Sequence, residues 1–251
     1  YIVETNAQVL QAWAAADVEA DVLVHIDGSD DMTVFPPSLE ETMKNTADHL
    51  ERGNAAVVDR VAQMIESGGS VNIGREAGFY DRVIWVVPTP EPVSDTPLEN
   101  FRRVLIEKRG YTPQALTGLA VKGKTVSGTI AGVPVTVCSL EDLEVGEAAA
   151  LLEIDLTWFV GLQARDQDHK PGTRAVLNFL RTIRRKRIPV AAVAINAASA
   201  GQVVPMDIRF YAGVVRDALL DPGILEGPLP ELYERMIEAE GYVKDYEMLF
   251  K

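Results

Sequence analysis

The feature that most constrains this chain is a recurring pair: a short run of β-branched and aliphatic residues, then a stretch with helical spacing. The runs VLVHI (22–26), RVIWVV (82–87), LLEIDL (151–156) and VAAVAI (190–195) have the length and composition of buried strands. Before the first of them lies AQVLQAWAAA (7–16), with Val9, Leu10 and Trp13 at helical spacing, and further helices are expected over 98–109, 173–187, 208–220 and 229–239. Ser38 with Glu41 three residues on makes a capping-box pattern for a helix through about Glu51. Residues 55–66 give another helix, which Ser67-Gly68-Gly69 closes, and Tyr1 to Glu4 reads as a short leading strand. Strands alternating with helices predict an α/β fold in three layers, α/β/α, around a mainly parallel sheet. The 251 residues show no internal repeat and no linker, so a single domain is expected. One segment breaks the alternation. Residues 118–138, GLAVKGKTVSGTIAGVPVTVC, are short apolar pieces separated by glycines and predict one or two hairpins in or beside the main sheet.

Charge narrows the function. A formal net charge of −13 argues against nucleic acid and anionic membranes, because phosphates are bound mainly by clustered Lys and Arg, and it favours a basic substrate. The basic run Arg184 to Arg187 ends a helix with an apolar face of Val176, Leu177, Phe179, Leu180 and Ile183, where positive charge suits the helix dipole. No apolar run is long enough to span a bilayer, and YIVETNAQ lacks the pattern of a secretion signal, so a cytoplasmic protein is expected. The single cysteine, Cys138, has apolar neighbours and reads as a packed thiol. Nothing in the sequence specifies an oligomeric state.

Two of the apolar runs end in carboxylates. HIDGSDD brings Asp27, Asp30 and Asp31 to the end of one strand, and LLEID brings Glu153 and Asp155 to the end of another. Asp27 and Asp31 flank a tight turn, while Glu153 and Asp155, two apart on a strand, point the same way. Ligands of open parallel sheets bind beyond the carboxyl ends of the strands, so the two acidic ends can meet at one site. Hard carboxylate oxygens suit Mn²⁺, Mg²⁺ or Ca²⁺, and an added imidazole favours transition metals. An acidic surface loop beside a lone polar strand residue would produce the same pattern.

Longer stretches resemble the ureohydrolase (arginase) superfamily, and within it the branch containing the peptide arginases, which convert arginine to ornithine in ribosomally made peptides. IVETNAQVLQAW (2–13) resembles that branch's opening strand and helix, HIDGSDDM (25–32) its His-Ile-Asp-Ala-His-Ser-Asp-Leu, and LLEIDLTWF (151–159) its Leu-Asp-Ile-Asp-Leu-Asp-Tyr-Phe. SVNIGREAGFYDRVIWVVP (70–88) is similar to its segment leading to a Trp-Val strand, and AVAINAASAGQVVP follows more loosely. The resemblance implies an arginase-like fold, two Mn²⁺ ions that generate a hydroxide near neutral pH, and an arginine-containing peptide as substrate. It places the six metal-ligand positions on Asn6, Asp27, Ser29, Asp31, Glu153 and Asp155.

Three of those positions depart from the family. Asn6 and Ser29 stand where it has histidines, and Glu153 stands where it has an aspartate; Thr157 also replaces a frequent Asp. A neutral oxygen in place of imidazole binds transition metals far more weakly, so one cation, or none, is an expectation beside the family's pair. The outcomes to be separated are a variant hydrolase, a changed chemistry, a site altered on purpose, and a non-catalytic protein that binds a peptide on the same fold. His25 reads as a satisfied core histidine or as support behind a metal ligand, and with Asp31 it is carried as a candidate catalytic residue. Asp168, within the cluster Asp166, Asp168 and His169, and Glu76, beside Arg75, are candidate substrate contacts; a solvated loop and a loop ion pair are the plainer readings. His49 reads as a helix-end or surface residue, and Gly74 and Gly201 as turns that approach a ligand.

Overall fold

The computed structural model describes residues 1–18, 20–34, 68–88, 98–156, 158–159, 173–197, 205–221 and 223–226, with single positions between 38 and 49 and between 231 and 238. The helices expected over 38–51, 55–66 and 229–239, the loop 166–169, Thr157 and Gly201 therefore fall wholly or largely outside the described residues.

Eight strands form one sheet: β1 (Ile2–Val3), β2 (Val22–Ile26), β3 (Arg82–Val86), β4 (Leu116–Lys122), β5 (Thr125–Ile130), β6 (Val133–Cys138), β7 (Ala150–Asp155) and β8 (Val190–Asn196). Their order is β1-β8-β7-β2-β3-β6-β5-β4. Every pairing from β1 across to β6 is parallel, as the strand and helix alternation predicts, and the pairings of β6 with β5 and of β5 with β4 are antiparallel. From β2 the chain moves one way, to β3; from β7 it moves the other way, to β8. The point where the winding reverses thus lies between the neighbours β2 and β7, the place at which such sheets open a crevice.

The described helices are α1 (Asn6–Ala16), α2 (Ser70–Glu76), α3 (Leu98–Arg109), α4 (Thr173–Arg185), α5 (Pro205–Leu220) and α6 (Gly223–Glu226). Alternate strand residues go to two separate apolar clusters, as the two-residue period of a strand requires. Leu23, Val83, Trp85 and Leu151 pack with Val9, Leu10 and Trp13 of α1, Val71 and Ile73 of α2, and Leu105 of α3. Val22, Val24, Leu152 and Ile154 pack with Val176, Leu180 and Ile183 of α4, Val215 of α5 and Leu225 of α6. Cys138 is buried, and burial pushes its thiol up to about 12, in keeping with a packed and unreactive side chain. None of the described helices is long and apolar enough to cross a membrane.

Glycines organise the antiparallel extension as their spacing predicts. Gly123, at φ +61°, stands in the two-residue turn from β4 to β5, and Ala131 and Gly132, both at positive φ, turn β5 into β6. The β4–β5 register slips between Thr117 and Ala120, a bulge beside Gly128, where a Cβ would lie 2.7 Å from the Leu119 backbone. Gly74 is different from its expected role. It lies inside α2, a helix the sequence reading did not anticipate after Gly68-Gly69, and a Cβ there would strike the Tyr80 hydroxyl and come within 3.1 Å of Leu10. Close packing against Tyr80, which a side chain would prevent, explains a glycine where helix propensity disfavours one.

Candidate functional site

The two-residue period that buries Leu23 and Leu151 also sends His25, Asp27, Glu153 and Asp155 to the same face of the sheet, the face packed by α1 and α2. Parallel register sets His25 beside Glu153 and Asp155 beside Asn196. All six of Asp27, Asp31, His25, Glu153, Asp155 and Asn196 are buried. The acidic strand ends do meet, at the reversal point of the sheet.

His25 is the hub. Its Nδ1 lies 3.0 Å from Glu153 Oε2, its Nε2 3.1 Å from the Ser29 carbonyl oxygen and 3.6 Å from Asp27 Oδ2. Burial alone would lower its pKa, but the charge and hydrogen bond of Glu153, then the charges of Asp27 and Asp31, raise it to about 10. Burial, followed by the charges of Asp155 and Asp31, pushes Asp27 well above the usual carboxylate range. Asp31 is raised as well, chiefly by burial, against the pull of His25. Carboxylates outnumber cationic groups here among the described residues, and protons or a metal cation relieve that imbalance.

The loop after β2 is held by parts distant in sequence. Asp30 Oδ1 accepts from the Met32 amide at 3.0 Å and from the Tyr111 hydroxyl at 2.7 Å. Arg109, the last residue of α3, donates to the Gly28 carbonyl at 2.8 Å and to Ser29 Oγ at 3.1 Å, and Trp85 Nε1 donates to the Asp27 carbonyl at 3.0 Å. Asp31 takes φ +48°, a conformation tolerated by aspartate better than by most residues, and this turns its carboxylate inward. There Oδ2 accepts from Asn6 Nδ2 at 3.0 Å and from Ser70 Oγ, at the start of α2, at 3.3 Å.

Asn6 owes its place to the α1 cap. Thr5 accepts from the Gln8 amide through its side chain, which starts the helix at Asn6, directly after β1. Pairing of β1 with β8 puts Val3 beside Asn196, and Asn196 Nδ2 then donates to Asn6 Oδ1 at 2.6 Å and to Glu153 Oε1 at 3.3 Å. Asn6, Asn196, Glu153, His25 and Asp31 are thereby linked in one network.

The donor set of three of these residues fits a metal cation. Ligand atoms of His25, Asp27 and Asp31 all lie within 4.8 Å of one another, a mixed set of imidazole nitrogen and carboxylate oxygen. Two of the positions read as weak ligands are engaged with other residues. Asn6 spends its amide oxygen on Asn196 and its amide nitrogen on Asp31, and Ser29 Oγ accepts from Arg109. Of the residues predicted from sequence, Asp27, Asp31, His25, Glu153, Asp155 and Asn6 are brought together, with Ser29 at the rim. Glu76 is exposed and pairs with Arg75 at 3.3 Å, outside the cluster, and Asp168 lies outside the described residues.

Sequence reasoning missed Asn196, Ser70, Arg109 and Tyr111. Asn196 carried the same signal as Asp155, a polar residue ending an apolar strand. Arg109 and Tyr111 carried none, being about 80 residues from the loop they hold. The chain matches no known protein-family model and no curated protein.

Proposed function

We propose that this chain is an arginase-like, three-layer α/β/α hydrolase that acts on the guanidinium group of arginine in a peptide and uses one divalent cation, with Mn²⁺ the first choice. The observation that carries the reading is the buried group His25, Asp27 and Asp31, with mutually close ligand atoms at the reversal point of a parallel sheet. A divalent cation bound there supplies Lewis acidity and makes water acidic enough to react near neutral pH. Asp27 and Asp31 would be its anionic ligands and His25 would supply the imidazole. Glu153, against the other nitrogen of His25, fixes the ring's orientation, and Asn6 and Ser70 fix Asp31. The acidic centre draws in the cationic guanidinium. Water adds to the guanidinium carbon, Asp31 takes up the proton, the bond to the peptide-side nitrogen breaks, and the departing amine receives a proton, leaving ornithine and urea.

The test is elemental analysis of the protein after loading with Mn²⁺, beside urea release from an arginine-containing peptide. About one Mn²⁺ per chain with urea released, both lost in Asp27→Asn, is the expected result. Absence of bound metal together with absence of urea refutes the hydrolase.

A second reading rests on the amide network. Asn6 and Asn196 offer neutral hydrogen bonds where a second cation would need ligands, which suits a non-catalytic protein that holds a cationic peptide in the acidic cleft. Peptide binding that survives chelation, with no urea formed, favours this reading.

A further inference from the structure

On the opposite face of the sheet from His25, and toward the start of β8, lies a cavity of about 280 Å³. Its described lining is apolar apart from two arginines: Leu152, Leu180, Ile183 and Leu225 are buried, and Arg184 and Arg187 stand at the end of α4. Half-open Val190 and Leu219 join the arginines in the lining, so the cavity communicates with solvent. Its volume is near the lower end of small-ligand sites, roughly 300 Å³.

The two arginines differ. Arg184 is committed to Glu226 of α6 at 2.6 Å. The Arg187 guanidinium makes no hydrogen bond or ion pair with any described residue. Its backbone is also unusual, at φ +50° just beyond the last turn of α4, where the chain reverses by a bond from its amide to the Arg184 carbonyl. Glycine is the residue favoured at that point of a helix end. Arg187 is solvent-exposed and stands, in a strained conformation, at the mouth of an apolar cavity, so its guanidinium is open to an anionic group of a ligand seated there.

We infer that this cavity binds the acyl chain of a medium-length fatty acid, with the carboxylate paired to Arg187. The apolar lining takes the hydrocarbon and the arginine fork takes the two oxygens. The inference is independent of the chemistry at His25 and Asp27.

Calorimetric titration of the full chain with decanoate, below its micelle concentration, tests it, with decanol and decyltrimethylammonium as probes of the same tail. One decanoate per chain is expected to bind, at least about tenfold more tightly than either control. Arg187→Gly is expected to raise the melting temperature, because the backbone strain is relieved, while weakening decanoate by about tenfold. Arg187→Lys is expected to keep most of the binding. Decanol binding as tightly as decanoate, or an Arg187→Gly protein that binds decanoate unchanged, overturns the inference, as does the absence of decanoate binding to the parent chain.

Discussion

β7 is a strand with two different sides. Leu152 and Ile154 face α4 and α5 among aliphatic neighbours, whereas Glu153 and Asp155, one residue along in each case, face His25 and Asn196. Both sides are buried. The first is held by non-directional burial, in which one aliphatic side chain can replace another at modest cost. The second is held by matched donors and acceptors, where loss of one partner strands another without water to replace it. The same backbone therefore supports a tolerant side and an intolerant one, and the intolerant side carries the candidate chemistry.

The comparison is broken most severely by His25→Ala. It leaves the buried Glu153 carboxylate with Asn196 as its hydrogen-bond partner among the described residues, and a loss of about 3 to 5 kcal/mol in urea unfolding is expected, as for breaking a buried ion pair. A loss under about 1 kcal/mol would mean that the network relaxes freely and that the two sides do not differ. Tyr111→Phe comes next. It keeps the ring but removes the hydroxyl from the buried Asp30, with an expected loss of about 2 kcal/mol and weaker Mn²⁺ binding, because the loop carrying Asp31 loses its outer support. Stability lost with Mn²⁺ affinity unchanged would show that the loop is set by Arg109 and Trp85 instead. The smallest effect belongs to the apolar side: Ile154→Val should cost about 1 kcal/mol and leave Mn²⁺ binding unchanged.

Much of the site was legible because strand periodicity is a local property. Once VLVHID and LLEID are read as strands, alternation alone sets His25 with Asp27 and Glu153 with Asp155, and the carboxyl ends of parallel strands are where ligands gather. What failed was local in a different way. A glycine within SVNIGRE conceals a helix, since its advantage is close approach to Tyr80, and only the packed molecule contains that approach.

The sequence by itself determined the α/β alternation, the parallel core, the glycine-turned hairpins and the carboxylates at two strand ends. Each follows from residues within a few positions of one another. The tertiary structure alone decided that β2 and β7 are neighbours at the reversal of the sheet, that Asn6 and Asn196 spend their amides on each other and on the carboxylates, and that Arg109 and Tyr111 grip the acidic loop. These depend on which strands pair and on which groups must satisfy one another once buried, and the energies that settle such choices arise between residues far apart in the chain.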